Sequence, residues 1–189
     1  MTRSDWQIIA VLIGAVLIGV LLGNAFTSTP AEPAGKPKPW MGAVTRVVDG
    51  DTLDIQRPVG GVVRIRLAGI DAPEKRQPCG PEASAYLASQ ASKGTAVEVK
   101  PLGTATYGRM VAWVHLASRN EENLSVLLAS EGYAWRLPGY PCYPFCGAIE
   151  RAQVRAKQRR LGCWQDHSDI EMPWDYRARL RKKSDAYQE

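Results

Sequence analysis

Residues 62–74 read VVRIRLAGIDAPE and combine a strand pattern with an acidic loop. Apolar side chains alternate with Arg64 and Arg66 in the first part, which predicts a β-strand with one polar face. The strand leads into residues 71–74 (DAPE), where a proline and two acidic residues predict a loop. Arg66 therefore lies five residues before Asp71, on the strand that enters the acidic loop.

Four further strand patterns and three helix patterns surround this segment. Residues 41–55 alternate loosely around the Asp49-Gly50 turn, which predicts two strands joined by a tight turn. Five short strands interrupted by helices favour an α+β fold with a small closed barrel of the OB type over a sandwich or an open parallel sheet. The remaining strands are predicted at 96–99 and 110–116, and the helices at 82–92, 124–130 and 146–160.

The composition is that of one ordinary domain with an additional segment. A chain of 189 residues is long enough for one domain plus a tail or an anchor. A hydrophobic content of 45% with 17 glycines excludes a wholly disordered or collagen-like chain. The 24 Lys and Arg residues against 19 Asp and Glu give a net charge of +5, which favours anionic partners such as nucleic acid or lipid headgroups.

The N-terminus predicts export of the domain. Residues 8–22 carry no polar side chain, and the apolar region approaches the roughly 20 residues that a membrane-spanning helix needs. Arg3 precedes the run and the next basic residue is Lys36, so the positive-inside rule places the remainder of the chain outside the cytoplasm. We predict residues 1–26 to be either a membrane anchor, giving a single-pass protein with a periplasmic or extracellular domain, or a cleaved signal peptide of a secreted protein.

Three further parts follow the apolar run. Residues 27–39 are rich in Pro, Ala and Thr, which predicts an extended, mobile linker. The folded domain is predicted at 40–165. Residues 166–189 form a basic tail rich in Pro and charge, and its stretch 177–183 (RARLRKK) carries five positive charges.

The four cysteines agree with export. An even number of cysteines in an exported domain predicts disulfides, and three pairings are possible for Cys79, Cys142, Cys146 and Cys163. The spacing between Cys142 and Cys146 does not match that of zinc sites. Four residues of separation can bring these two Cα atoms to disulfide distance.

Two acidic clusters predict a metal site. Residues 49–52 (DGDT) form the turn between the first two strands, and residues 71–74 follow the third strand. If the second and third strands are neighbours, their ends bring Asp51 and Asp71 together. Such oxygen ligands suit Ca²⁺ or Mg²⁺ rather than zinc or copper. The alternative is ordinary turn chemistry, in which Asp and Gly are common.

Two arginines complete a candidate catalytic site. Arg66 lies on the third strand and Arg109 opens the fifth. A guanidinium fork matches two phosphate oxygens and stays charged at any working pH. A metal ion, two arginines and a nearby carboxylate together predict a site that cleaves phosphodiester bonds. Arg64 is instead predicted to lie on a solvated strand face.

Five motifs in sequence order resemble the staphylococcal, or micrococcal, nuclease family, the thermonucleases. The resemblance extends from about Ala43 to Trp164 and is carried by the motifs together rather than by any single one. The motifs are VVDGDTLDI (47–55), RIRLAGIDAPE (64–74), CGPEASAYL (79–87), YGRMVAWV (107–114) and SEGYAW (130–135).

The resemblance implies an OB-fold barrel with three helices and a Ca²⁺-dependent phosphodiesterase that acts on DNA and RNA and leaves 3′-phosphate ends. Asp51 and Asp71 would be direct calcium ligands, and Ala72 would offer its backbone carbonyl. Asp49 would act near the metal ion through water. Glu74 would be the general base or the group that orients water.

The resemblance also assigns the residues that contact the substrate. Arg66 and Arg109 would hold the scissile phosphate and stabilise the transition state, and Tyr107 would line the nucleotide site. A second stacking aromatic is expected in the segment that prolines and cysteines remodel, where Tyr140 and Tyr143 are both candidates.

The family's arrangement further implies a disulfide between Cys79 and Cys163, because the two helix ends that carry them lie on the same side. No obligate protein partner is evident, and a monomer is expected. A catalytically inactive OB module that only binds nucleic acid is the alternative. The acidic residues Asp51, Asp71 and Glu74 favour the enzyme, because they would repel phosphate unless a metal ion lies among them.

Overall fold

The computed structural model of the protein describes residues 37–106, 108–118, 122–165 and 170–186. The predicted anchor or signal peptide, most of the predicted linker and Tyr107 lie outside these residues. Within them, no helix is both long and apolar enough to cross a membrane.

A closed β-barrel forms the body of the domain. Five strands follow one another around it in the order β3-β2-β1-β5-β6, and parallel pairing of β3 with β6 closes the ring. The neighbouring pairs are otherwise antiparallel. This α+β architecture is the OB-type barrel that the strand pattern predicts. The strands in the described residues are β1 (Trp40–Asp49), β2 (Thr52–Gln56), β3 (Val62–Leu67), β4 (Ile70–Asp71), β5 (Ala96–Thr106), β6 (Arg109–Leu116), β7 (Glu122–Asn123) and β8 (Trp135–Arg136).

Strand β5 is longer than the predicted strand at 96–99. It continues to Thr106 and remains paired with β6, with an irregular register between Pro101 and Ala105. Proline and glycine at 101 and 103 interrupt the alternation, so the local pattern ends before the strand does.

The described residues form four α-helices, one more than predicted. Three match the predicted helices to within two residues at each end, which is the usual uncertainty of helix boundaries. The fourth lies in the segment predicted as a basic tail. The helices are α1 (Gly80–Gln90), α2 (Leu124–Ser130), α3 (Cys146–Gln158) and α4 (Pro173–Asp185).

The barrel interior and the helices around it share one apolar core. Alternate side chains of each strand point inward, as the period of two in a strand requires. Burial of each large aliphatic side chain contributes roughly 1.5–3 kcal/mol of hydrophobic free energy. Fully buried members of this core include Leu53, Ile55, Ile65, Leu67, Val97, Val99, Val111, Leu87, Leu128 and Ile149.

Both disulfides take the pairing that the sequence analysis predicts. Cys142 bonds to Cys146 at the start of α3. Cys79 bonds to Cys163, with a Cα–Cα distance of 5.6 Å, and joins the start of α1 to the short turn at Gly162–Trp164. A second, smaller apolar cluster surrounds this bond and includes Trp135, Trp164 and Ile170. The chain that leads into α4 is therefore fixed beside the start of α1.

Candidate active site

A pocket of about 410 Å³ lies where the β1–β2 turn meets the loop after β4. Every predicted metal-binding and catalytic residue lines it. These residues are Asp49, Asp51, Arg66, Asp71, Ala72, Glu74 and Arg109.

Strand pairing explains why the two acidic clusters meet. β2 and β3 are antiparallel neighbours, with Thr52 opposite Arg66. The backbone N–H of Leu67 donates to the Asp51 carbonyl at 2.8 Å, which fixes the end of β3 against the turn. Gly50 allows the close approach, since a Cβ there would lie 2.8 Å from the Cβ of Ala72.

One guanidinium joins the two predicted calcium ligands. Arg66 Nη1 lies 3.0 Å from Asp51 Oδ2, and Arg66 Nη2 donates to Asp71 Oδ1 at 2.7 Å. The Arg66 side chain is only 12% exposed. Two carboxylates within reach of one planar group must be close together, so the convergence that the sequence predicts is present in the structure.

The carboxylates of the site are buried and crowded. Burial raises the pKa of the Asp71 carboxyl above its usual value and the charge of Asp51 adds to this rise, although Arg177 and Arg66 oppose it. Burial and the charge of Asp51 likewise raise the pKa of Asp49. Crowded, desolvated carboxylates are stabilised by a cation, so the site is suited to bind one.

The donor set fits a hard metal ion. Asp51, Asp71 and the Ala72 carbonyl offer oxygen ligands only, which suit Ca²⁺ or Mg²⁺ when water completes the coordination shell. Across the described ranges, no group of three or more His, Cys, Asp or Glu side chains is arranged to hold a metal ion by itself. All four cysteines form disulfides, so they do not offer thiolates to zinc.

Arg109 presents hydrogen-bond donors to the pocket from the first residue of β6. Its Nε atom is buried and has no hydrogen-bond partner among the described residues. An arginine in the wall of a pocket can donate to a ligand that enters it. A phosphate oxygen has the required charge and geometry.

The structure distinguishes the two candidate stacking aromatics. Tyr140 lines the pocket. Tyr143 is 87% exposed and does not line it. The predicted contact of Tyr107 with a nucleotide stays a prediction.

Helix α4 contributes two arginines that the sequence predicts to lie in a basic tail. Arg177 and Arg181 both line the pocket. Arg177 Nη2 lies 2.5 Å from Asp71 Oδ2, and Arg177 Nη1 lies 2.8 Å from Glu74 Oε1. Two features of the sequence indicate this helix. Pro173 is suited to the first turn of a helix, and the spacing of four residues places Arg177 and Arg181 on one helix face. Neither signal identifies the site that this face contacts.

The fold and the site define a class of protein, a nuclease built on an OB barrel with carboxylates and arginines around one pocket. The family model described as "Staphylococcal nuclease homologue" matches residues 64–166, more than half of the chain. The chain belongs to the staphylococcal nuclease family. It is therefore a hydrolase of phosphodiester bonds, and the alternative of an inactive binding module is not supported.

The chain is also similar to three named relatives, two of which have the names of nucleases. Protein ParB of Escherichia coli is 36% identical over 155 residues, covering 76% of this chain and 82% of that protein. Micrococcal nuclease of Shigella flexneri is 32% identical over 151 residues, covering 73% of this chain and 80% of that protein. Endonuclease YhcR of Bacillus subtilis is 33% identical over 173 residues, which cover 82% of this chain but only 14% of that protein.

Proposed function

We propose that the protein is a Ca²⁺-dependent nuclease that cleaves both DNA and RNA outside the cytoplasm. The observation that carries the proposal is the bridge from Arg66 to Asp51 and Asp71, in a pocket that Glu74 and Arg109 also line. Carboxylates, a candidate base and phosphate-binding guanidinium groups are the parts that phosphodiester hydrolysis requires.

Calcium is the proposed ion of a metal-dependent family. Asp51, Asp71 and the Ala72 carbonyl would hold it, and Asp49 would act through water. The bound ion would supply positive charge beside the reacting phosphate and offset the negative charge of the carboxylates.

The two arginines are proposed to bind the scissile phosphate. Arg66 is held in place by two carboxylates, so its guanidinium is oriented before substrate arrives. Arg109 lines the same pocket from the first residue of β6, where its guanidinium can donate to a phosphate oxygen. Preorganised donors of this kind stabilise the charge that develops in the transition state, and their loss typically costs about 10²–10³-fold in turnover.

Glu74 is the proposed general base. Its side chain is 41% exposed at the pocket, where it can reach both water and the phosphate-binding groups. A carboxylate in this position orients the attacking water and accepts its proton. Tyr140 is proposed to stack on a base of the substrate, a contact that every base can make because each has a π-face.

We propose activity on both DNA and RNA because Arg66, Arg109 and the metal site would all contact phosphate. Phosphate contacts carry no direct sequence information and are common to both nucleic acids. The basic side chains Arg151, Arg155 and Lys157 on α3 add a general attraction for polyanions.

Export is proposed on the apolar run at 8–22 and the flanking charges, and the two disulfides agree with an oxidising compartment. Fractionation of cells that express the full chain distinguishes the alternatives. A membrane anchor predicts a carbonate-resistant membrane protein that added protease digests in spheroplasts, and a cleaved signal peptide predicts a shorter soluble protein. A full-length chain in the cytosol would contradict export.

Digestion of plasmid DNA and of an RNA transcript by the full chain, purified in non-ionic detergent, tests the activity. We expect both substrates to be cleaved with calcium chloride and left intact with EGTA. Equal cleavage in EGTA would contradict the proposed dependence on calcium. Cleavage of only one substrate would restrict the proposed substrate range.

A further inference from the structure

Helix α4 places a guanidinium on the carboxylates of the active site. Arg177 Nη1 donates to Glu74 Oε1 at 2.8 Å and to Asp71 Oδ1 at 3.2 Å, while Arg177 Nη2 donates to Asp71 Oδ2 at 2.5 Å. These are charge-assisted hydrogen bonds in a fork arrangement, the strongest class of side-chain contact for arginine. One side chain from outside the family match, which ends at residue 166, therefore binds both the proposed calcium ligand and the proposed base.

The contacts use both oxygens of Asp71. Arg66 binds Oδ1, Arg177 binds Oδ2, and the Asp71 side chain is only 1% exposed. A metal ion ligated by Asp71 needs one of these oxygens. Arg66 and Arg177 already place two positive groups on this carboxylate, so a calcium ion would be added against the repulsion of both guanidinium groups, which the partly buried site screens poorly. Calcium ligation at Oδ2 of Asp71 would use the oxygen that Arg177 binds most closely, so the two cations compete for it.

The position of Arg177 is set by docking of the segment that begins α4. Gln77 Nε2 donates to the Glu171 carbonyl, and Ile170 and Pro173 are buried. The Cys79–Cys163 disulfide lies in the same apolar cluster as Ile170. The packing of this segment therefore places Arg177 beside Asp71 and Glu74.

Arg177 itself can leave the carboxylates more easily than Arg66 can. Its side chain is 34% exposed, against 12% for Arg66. Burial alone would lower the pKa of the Arg177 guanidinium, but the hydrogen bonds that it donates to Asp71 and Glu74 outweigh burial and raise the pKa, so the side chain stays charged at any working pH. It therefore acts as a permanent cation on these carboxylates, and a second cation that binds Asp71 competes with it.

We propose that Arg177 is a further active-site residue, which occupies the cation position on Asp71 and competes there with calcium. Calcium binding displaces Arg177 from Asp71 and Glu74, so the ion that supports catalysis also releases the base. Without calcium, Arg177 holds Glu74 and keeps the site inactive. The inference rests on the proposed calcium site and adds a regulatory contact to it.

The competition predicts that loss of Arg177 strengthens calcium binding. In a variant without Arg177, calcium does not have to break the contacts of this arginine, so the affinity of the site for calcium rises. The size of the rise equals the coupling between the two cations, and coupling between linked sites typically changes an affinity by about 5–150-fold. We expect the Arg177→Gln variant to bind calcium about tenfold more tightly, within this range. If Arg177 had a purely structural role, the variant would instead bind calcium more weakly, because a disturbed site binds its ion less well.

Calorimetric titration of calcium chloride into the full chain in detergent measures this effect. The matched control is Arg179→Gln, on the same helix, because Arg179 pairs with the exposed Glu171 at 2.8 Å. We expect tighter binding for Arg177→Gln and unchanged binding for Arg179→Gln. Unchanged or weaker binding by a folded Arg177→Gln variant would overturn the competition.

The Asp71→Asn variant separates this inference from the proposed function. It should lose calcium binding if Asp71 is a ligand, whatever Arg177 does. If the wild type and Arg177→Gln both fail to bind calcium, the metal site itself is refuted and the competition with it. If the wild type binds and Asp71→Asn abolishes binding, the metal site stands and the Arg177 result alone decides the inference.

Hydrogen exchange on the wild-type chain gives a second measurement that needs no variant. Release of Arg177 removes the ion pairs that join α4 to the pocket, so saturating calcium should increase amide exchange within Pro173–Asp185. Unchanged or slower exchange in this helix, at a calcium concentration that calorimetry shows to be saturating, would contradict the release.

Discussion

Replacement of Arg66 by lysine separates the shape of the guanidinium from its charge. The Arg66 fork contacts Asp51 at 3.0 Å and Asp71 at 2.7 Å, and Nη1 also donates to the Ile70 carbonyl at 3.0 Å. A lysine ammonium is a single point charge on a flexible stem and cannot take both positions of a planar fork. It can therefore neither bridge the two carboxylates in the same way nor present two parallel donors to a phosphate.

The expected loss in turnover follows from this geometry. At least one preorganised donor to the transition state is missing in Arg66→Lys, and the loss of one such donor costs roughly 10²–10³-fold in kcat. We expect a decrease of at least 10²-fold, on the same scale. Arg109→Lys should show a similar loss, because Arg109 is proposed to bind the same phosphate.

Initial rates on a fluorogenic oligonucleotide, at saturating calcium and substrate, measure kcat for Arg66→Lys and for its control. Arg64→Lys is the control, two residues earlier on β3, where Arg64 pairs with Asp54 at 2.8 Å. Arg64 does not line the pocket that holds Asp51, Asp71 and Glu74, and lysine keeps its positive charge beside Asp54, so this variant should keep nearly normal turnover. Circular dichroism melting confirms that both variants are folded at the assay temperature. Near-normal kcat for a folded Arg66→Lys variant would refute the proposed role of the fork.

Three further predictions concern the base, the disulfide and acid stability. Glu74→Gln should reduce kcat severely while calcium binding, measured by calorimetry, persists, because an amide cannot accept the proton. Replacement of Cys79 and Cys163 by alanine should lower the melting temperature, since the 84-residue separation makes this bond worth about 4–5 kcal/mol in the chain-entropy model. Asp54→Asn should lower the melting temperature at pH 7 and have progressively less effect below the ordinary pKa of 3.8, because the hydrogen bond from Arg64 lowers the pKa of Asp54 in the folded state.

Each of these predictions has an outcome that contradicts it. Glu74→Gln with unchanged kcat would exclude Glu74 as the base. An unchanged melting temperature without the Cys79–Cys163 bond would show that the unfolded chain gains little freedom from its loss. For Asp54, the stabilisation is present above the unfolded pKa and is lost as the pH falls through the lower folded pKa. An effect of Asp54→Asn that persists undiminished at pH 2 would contradict this origin.

The barrel and most of its site follow from local patterns in the sequence. Alternation of apolar residues gives the strands, and turn residues place Asp51 and Asp71 at strand ends. Asp51 and Asp71 converge only if β2 and β3 are neighbours, and the pairing of Thr52 with Arg66 confirms that they are. The end of β5 was not predictable from alternation, because pairing with β6 maintains the strand through Pro101.

The role of α4 could not be read from its sequence. Its residues are mostly charged, and only Pro173 is buried, so no apolar stripe marks the helix or its docking face. The contacts of Arg177 with Asp71 and Glu74 join residues more than 100 positions apart and depend on the fold of the whole domain. A tertiary contact of this kind, made by one charged side chain among many, leaves no local signature.

Cleavage of a 5′-labelled oligonucleotide by the wild-type chain and by Asp71→Asn, each with calcium and with EGTA, tests the central claim most directly. We predict that the wild type cleaves only with calcium and leaves 3′-phosphate ends, and that Asp71→Asn, which still folds, loses most of this activity. Full activity of the wild type in EGTA, or full activity of Asp71→Asn in either buffer, would show that the Asp51 and Asp71 site is not the calcium-dependent centre of the nuclease.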